Sequence, residues 1–326
     1  MLTEEKGELF TDVIGQDFAT SVLSKTLQTQ RIAPAYLFSG SEGIGRRLTT
    51  LRFLEGIISG GHSCLLTRKR IEGLNHPDLI WIEPTYLNQG KLIPQSIASK
   101  TVINRRVKPQ IRLKQIKQVK SFLANQPIEA SLNMTVIEGA ENMNEASSNA
   151  LLKTLEEPRN GLLILISARP ESLLATIRSR CQLIPFKKIK SNDINKILSK
   201  IQSTQNIDLS IGLHEQELLK LANGSPGGLI ENINTWQELP QELLSRMKKP
   251  PKEAIDALSL ARDLTETVDD EQQIWLIKWL QISLWGESHD SKAIKVLDNL
   301  HSQLKSFVQP RLAWEVALLK LTETKA

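Results

Sequence analysis

Five short apolar runs, AYLFSG, DLIWIEP, MTVIEGA, GLLILISA and QLIPF, recur between about Phe10 and Phe186, with helix-period amphipathic segments between them. That alternation leaves few folds open, because strands separated by helices settle into a parallel sheet covered by those helices. From about Lys187 the strand-like runs stop. Helical patterns follow, first in SNDINKILSKI and HEQELLKLANG, then in a longer stretch after Pro240. Asn223 and Gly224 followed by Pro226 mark a helix stop, since the first two tolerate left-handed backbone and the third cannot continue a helix. KKPPKE reads as a linker into helices carrying Trp275, Trp279, Trp285 and Trp314, whose spacing suits a core or an oligomer contact. A chain of 326 residues suits two or three domains.

Composition excludes several classes. Hydrophobic residues make up 40% of the chain, enough for packed cores. No stretch reaches the ~20 apolar residues that span a bilayer. The start, MLTEEKGELF, lacks the basic-then-apolar layout of a signal peptide, so a cytoplasmic protein with no membrane contact is expected. The two cysteines, Cys64 and Cys181, lie too far apart in sequence to suggest a disulfide framework.

The segment GSEGIGRR, residues 40 to 47, sits between an apolar run and a helix-like one. A phosphate-cradling loop reads G-x-x-x-x-G-K-[ST] in that context. Gly40 and Gly45 fall on its glycines, with Gly43 between, but Arg46 stands at the lysine and Arg47 at the hydroxyl that binds magnesium. Arg46 keeps the charge and changes its shape and reach, while Arg47 repels the metal and offers it no oxygen. In ATPases with this loop a later strand ends in an acid that holds magnesium, followed by a glutamate that aligns the attacking water. Here Glu138 ends MTVIE and Gly139 follows, so the water-aligning carboxylate is missing.

Charge is uneven. Between Glu83 and Glu129 there is no acid, while Lys91, Lys100, Arg105, Arg106, Lys108, Arg112, Lys114, Lys117 and Lys120 all fall there, in a chain of net charge +5. In IRLKQIKQVKSFLANQ, Ile111, Ile116, Val119 and Leu123 share one helical face and Lys114, Lys117 and Lys120 the other. That basic face is either simply solvated or phosphate-facing, since cations aligned along a helix release counterions from DNA.

NALLKTLEEP, residues 149 to 158, and GLLILISARPESLLATIRSRC, to residue 181, carry a family resemblance, joined by FTDVIGQ and RIAPAYLFSG. The chain resembles the clamp-loader subunits of bacterial DNA polymerase III, within the AAA+ superfamily. The likeness covers the first two-thirds, and QPRLAWEVALLKL is similar to the family's last collar helix. The damaged loop points to the delta-prime branch rather than the ATP-hydrolysing one. The resemblance implies an AAA+ α/β core over 1–186, a small helical lid over 187–239 and an all-α collar domain over 240–326.

It also implies roles. The family's S-R-C motif, here Ser179, Arg180 and Cys181, supplies an arginine finger to ATP bound by a neighbouring subunit, so Arg180 acts in trans. The second-sensor motif matches GSPGG, with Gly227 where active members have arginine. Relatives often carry a four-cysteine zinc module, but the corresponding segment offers only His62, Cys64 and His76, so no zinc is expected; a structural site needs four ligands. His76 in NHPDL reads as structural.

The expected function is a non-catalytic subunit that completes the clamp-loader ring, working with the ATPase subunit, the delta subunit, the sliding clamp and primed DNA. ATP and magnesium belong to a partner. Polymerase activity belongs to the holoenzyme, because no carboxylate set for two-metal chemistry stands out. Two alternatives stay open: an ATP-hydrolysing motor or helicase-loader relative in which Arg46 replaces lysine, and a DNA-binding scaffold relying on Lys114, Lys117 and Lys120.

Overall fold

The computed structural model describes residues 9–88, 90–98, 108–157, 161–205, 215–249, 251, 253–288, 290–306 and 308–323. Contacts divide the chain into two compact units, Met1–Ile197 and Leu198–Ala326.

The first unit is built on five parallel strands, β1 (Ala35–Ser39), β2 (Leu79–Ile82), β5 (Asn133–Glu138), β6 (Gly161–Ser167) and β7 (Gln182–Pro185). Their order across the sheet is β2-β5-β6-β1-β7. These are the five runs read from the sequence. Every residue of β1 is buried, because the strand lies inside the sheet with both faces covered.

Alternation along the strands sorts side chains onto the two faces. Tyr36, Phe38, Leu162, Ile164 and Ile166 pack with Ala19 and Leu23 of helix α1 (Asp17–Thr29), Phe53 and Leu54 of α2 (Arg46–Ile58), and Ile71 of α3 (Leu65–Glu72). Ala35, Leu37, Leu163 and Leu165 face α5 (Leu113–Leu123), α6 (Glu145–Glu156) and α7 (Ala175–Arg178) through Ile116, Val119, Leu151, Leu155 and Ile177. Removing one such aromatic, Phe38→Ala for instance, costs roughly 3–5 kcal/mol. This is the helix-covered parallel sheet that the alternation of apolar runs implies.

An antiparallel hairpin of β3 (Thr85–Asn88) and β4 (Lys91–Pro94), followed by the single turn α4 (Gln95–Ala98), has no counterpart in the sequence reading. Its strands are four residues each, too short to show a period.

In the second unit the described elements are helical: α9 (Glu215–Ala222), α10 (Pro226–Glu238), α11 (Gln241–Lys248), α12 (Ala254–Thr267), α13 (Asp270–Ser288), α14 (Ser291–Lys305) and α15 (Pro310–Glu323). Helix α8 (Ser191–Gln205) carries the chain from one unit into the other. Asn223 and Gly224 after α9 take positive φ, the stop read from sequence. Ser225 caps α10 by accepting the Gly228 amide at 2.9 Å.

Tryptophans form the unit's interior: Trp236 lies edge-on to Trp279 at 5.1 Å, and Trp275 stacks on Trp279. Two fully buried indole N–H groups find acceptors. Trp279 donates to Glu217 at 2.8 Å and Trp314 to Gln273 at 3.0 Å. The Trp285 side chain lies outside the described residues. Among those described, no helix is long and apolar enough to cross a membrane.

Candidate functional site

The glycine loop leaves β1 at the carboxyl ends of the strands, the edge where ligands bind in open α/β sheets. Gly40 has φ of 151°, and a Cβ there would lie 2.7 Å from the Phe186 carbonyl, so only glycine lets the chain pass. Gly43 and Gly45 also have positive φ. Gln16, the last residue of FTDVIGQ, ties the loop down. Its amide donates to the Ile44 carbonyl at 3.0 Å and the Lys187 carbonyl at 2.8 Å, and accepts the Lys187 amide at 3.1 Å.

Arg46 and Arg47 open α2, with no acid in the first turn to offset them. Cations at a helix N-terminus oppose the macrodipole. The compensation comes from elsewhere in the fold. Arg46 is buried, which lowers its pKa, while the charges of Glu141, Glu42 and Glu138 raise it. Arg47 forms an ion pair with Glu138, and its guanidinium lies 4.5 Å from the centre of the Trp81 ring. Trp81 in turn donates its indole N–H to the same Glu138 oxygen at 2.9 Å. The Glu138 carboxylate is therefore matched by the Arg47 cation and a neutral donor. Sequence reading identified Arg47 and Glu138 singly and missed both their pairing and Trp81, which sits on a neighbouring strand.

Gly139 follows with φ of 63°, and a Cβ there would lie 2.9 Å from Pro84 Cγ. A glutamate at this position meets both unfavourable backbone and a proline ring.

Arg180 lies elsewhere. Parallel pairing sets Tyr36 against Gln182 and Ser39 against Pro185, so the chain before β7, where Arg180 sits, is at the amino ends of the strands. The glycine loop is at their carboxyl ends. Four residues of strand separate the two, about 13 Å. Ser179 and Arg180 are exposed. Arg180 Nη1 donates to the Thr176 carbonyl at 3.1 Å and Nη2 to Glu156 Oε1 at 2.9 Å. Cys181 turns inward, and burial pushes its thiol pKa up to about 11, which marks a packing residue rather than a reactive one.

Lys114, Lys117 and Lys120 are exposed on α5, opposite buried Ile116, Val119 and Leu123. Of the wider basic run, Lys100, Arg105 and Arg106 lie outside the described residues, as does Pro158 of NALLKTLEEP. Gly227 lies in the first turn of α10.

In the segment holding His62 and Cys64, the organising group is Glu55 of α2, whose side chain is fully buried. It accepts from Ser63 Oγ at 3.0 Å, the Cys64 amide at 2.9 Å and Arg68 Nε at 2.8 Å. His76 is buried, and its Nδ1 accepts the Asp78 amide at 3.2 Å. No three of His, Cys, Asp and Glu come together as a metal site among the described residues.

Comparison with known families places residues 15–190 in the one described as DNA polymerase III, delta subunit. Residues 192–321 match the cyanobacterial DNA polymerase III delta prime, C-terminal domain. The chain belongs to the DNA polymerase III delta-prime family.

One similar member is the subunit delta' of Bacillus subtilis, 30% identical over 179 residues, which are 53% of this chain and 48% of that one. The subunit tau of the same organism is 23% identical across 97% of this chain and 62% of its own length. The chain thus spans less than two thirds of these relatives. Among solved structures, a DNA polymerase III gamma subunit-related protein from Thermotoga maritima shares the fold, with a TM-score of 0.53 and 19% identity over 93% of this chain and 99% of that one.

Proposed function

We propose that the chain is a non-catalytic delta-prime subunit of the DNA polymerase III clamp loader. It completes the ring, donates Arg180 in trans to an ATP site on a neighbouring subunit, and helps place the sliding clamp on primed DNA. The observation that carries this reading is the Arg47–Glu138 ion pair, in which the two residues at the expected magnesium-holding positions engage each other. The closed position at Gly139 and the missing side chain at Gly227 support it. An ATP-hydrolysing motor is the less supported alternative for the same reasons.

Arg180 lies at the sheet edge away from its own loop, so a nucleotide it touches belongs to another subunit. Its guanidinium is permanently charged and suited to charge growing on a transferring phosphoryl group. ATP and magnesium are then the partner's, no zinc is required, and the partners are the ATPase subunit, the delta subunit, the clamp and primed DNA. Lys114, Lys117 and Lys120 are proposed to face DNA phosphates within that assembly. Residues 187–239 are proposed as the lid and 240–326 as the collar, in a cytoplasmic complex.

The test is Arg180→Ala in a loader reassembled from this chain and its partner subunits. Loss of a finger costs roughly 10³–10⁵ in rate in well-studied GTPases, so turnover at the one site it serves should all but vanish. Unchanged DNA-stimulated ATPase overturns the assignment.

A further inference from the structure

NALLKTLEEP, the strongest local signal in the sequence, has no role in the function so far. It ends α6, whose last residue is Glu156, with Glu157 next. Two acids at a helix C-terminus oppose the macrodipole, and Lys153 is the single base in that last turn. A local rule broken this way marks a place where something other than helix stability decides the residue.

The structure supplies the reason for one of them: Glu156 Oε1 accepts from Arg180 Nη2 at 2.9 Å. From the other side the Thr176 carbonyl of α7 accepts Nη1 at 3.1 Å. The guanidinium is held between two helices. A guanidinium has five N–H donors, so these two bonds leave three free to meet a phosphoryl oxygen.

We infer that Glu156 is a positioning residue for Arg180, fixing the guanidinium so that it meets a neighbouring subunit's nucleotide in one orientation. The inference rests on the finger reading above. An exposed arginine loses considerable rotamer freedom when it docks, and a side chain already anchored at two points loses less. The Arg180 side chain is 37% exposed and that of Glu156 53%, so the pair contributes little to stability in water. Its value is orientation, and misplacement of a group beside the reacting atoms costs up to about 10²-fold in rate. This accounts for an acid at the end of α6 and an arginine after α7, joined in space across 24 residues of sequence.

The experiment uses the reassembled loader and measures DNA-stimulated ATPase, kcat and KM separately, with sizing to verify assembly. Glu156→Ala is expected to lower kcat by about tenfold at the served site, within the range a misplaced group costs, and to leave the KM for ATP and assembly unchanged. Glu156→Gln keeps an oxygen acceptor and should retain most of kcat. On an Arg180→Ala background, Glu156→Ala should change nothing further.

A kcat unaffected by Glu156→Ala, where Arg180→Ala is damaging, overturns this inference and leaves the finger standing. No effect of Arg180→Ala overturns the finger itself. A loss that persists on the Arg180→Ala background, or a failure to assemble, gives Glu156 another role and also overturns it.

Discussion

Arg47 at the start of α2 and Glu138 at the end of β5 form an ion pair against the ring of Trp81. In a working site of this kind the first position supplies a hydroxyl and the second a carboxylate, and both hold magnesium. Here the two hold each other. The ion pair joins the first turn of α2 to the end of β5.

The isolated chain should therefore show no saturable heat when titrated with ATP and magnesium up to the millimolar range. Arg46→Lys combined with Arg47→Thr restores the ammonium and the hydroxyl and frees Glu138, so saturable binding should appear in that variant. Micromolar binding by the unmodified chain would mean that Arg47 gives way to the metal, and the motor reading would replace the one proposed.

Restoring the water-aligning acid should not restore turnover. Gly139→Glu places a side chain on backbone at φ of 63°, with its Cβ 2.9 Å from Pro84 Cγ. Strain of this kind costs about 1–3 kcal/mol. Thermal denaturation should register that loss, and ATPase should stay at background even on the Arg46→Lys, Arg47→Thr background. Turnover in the triple variant would show that Pro84 moves aside.

How far the site was legible follows from where its parts lie. The strands were readable because each is a continuous apolar run, and the α5 stripe because its lysines and apolar residues separate at helical spacing. Arg46, Arg47 and Gly139 were readable as departures from a motif of fixed spacing. Their resolution was not, because Glu138 reaches Arg47 across 91 residues and Trp81 across 57. Glu156 was not singled out in NALLKTLEEP, and its partner emerges once α6 and α7 pack. The β3–β4 hairpin gave no sign, being two strands of four residues.

Glu55 should prove essential to the segment between α2 and α3. It is fully buried, pairs with Arg68, and lies 3.7 Å from Arg52, which itself has Asp12 and Glu72 as further partners. Removing one member of a buried pair costs about 3–5 kcal/mol, and Glu55→Ala should destabilise the chain on that scale in chemical denaturation. Chelators should leave the Tm of the unmodified chain unchanged, since this carboxylate gathers the segment holding His62 and Cys64. A Tm lowered by chelation would point to a metal.

Acid should weaken the first unit through Asp78 and His76. Burial raises the Asp78 pKa, but the amides of Ala130, Ile128 and Glu129, each donating at 2.7 Å, outweigh it, and His76 adds to them, so the net shift is down from 3.8. A carboxylate with a depressed folded pKa gives its full stabilisation above the unfolded value and loses it as pH falls through the folded one. His76 is lowered from 6.5, by burial first and by the charge of Arg70 second, against Asp78 and Glu129. The unfolded chain therefore takes up that proton first, and stability begins to fall as pH drops below about 6.5. Both groups act in one direction, so unfolding free energy should be lower below about pH 4 than at neutral pH, with losses setting in near the two unfolded values. Asp78→Asn turns an N–H donor toward the amides that Asp78 accepts, which should cost about 1.5–3 kcal/mol at neutral pH. It should also flatten the lower part of the pH curve and, by removing a charge that holds the His76 pKa up, deepen the loss that begins near 6.5. A variant as stable as the parent at pH 7, with the same acid profile, would mean that the amides of residues 128–130 find other acceptors and that Asp78 does not anchor them.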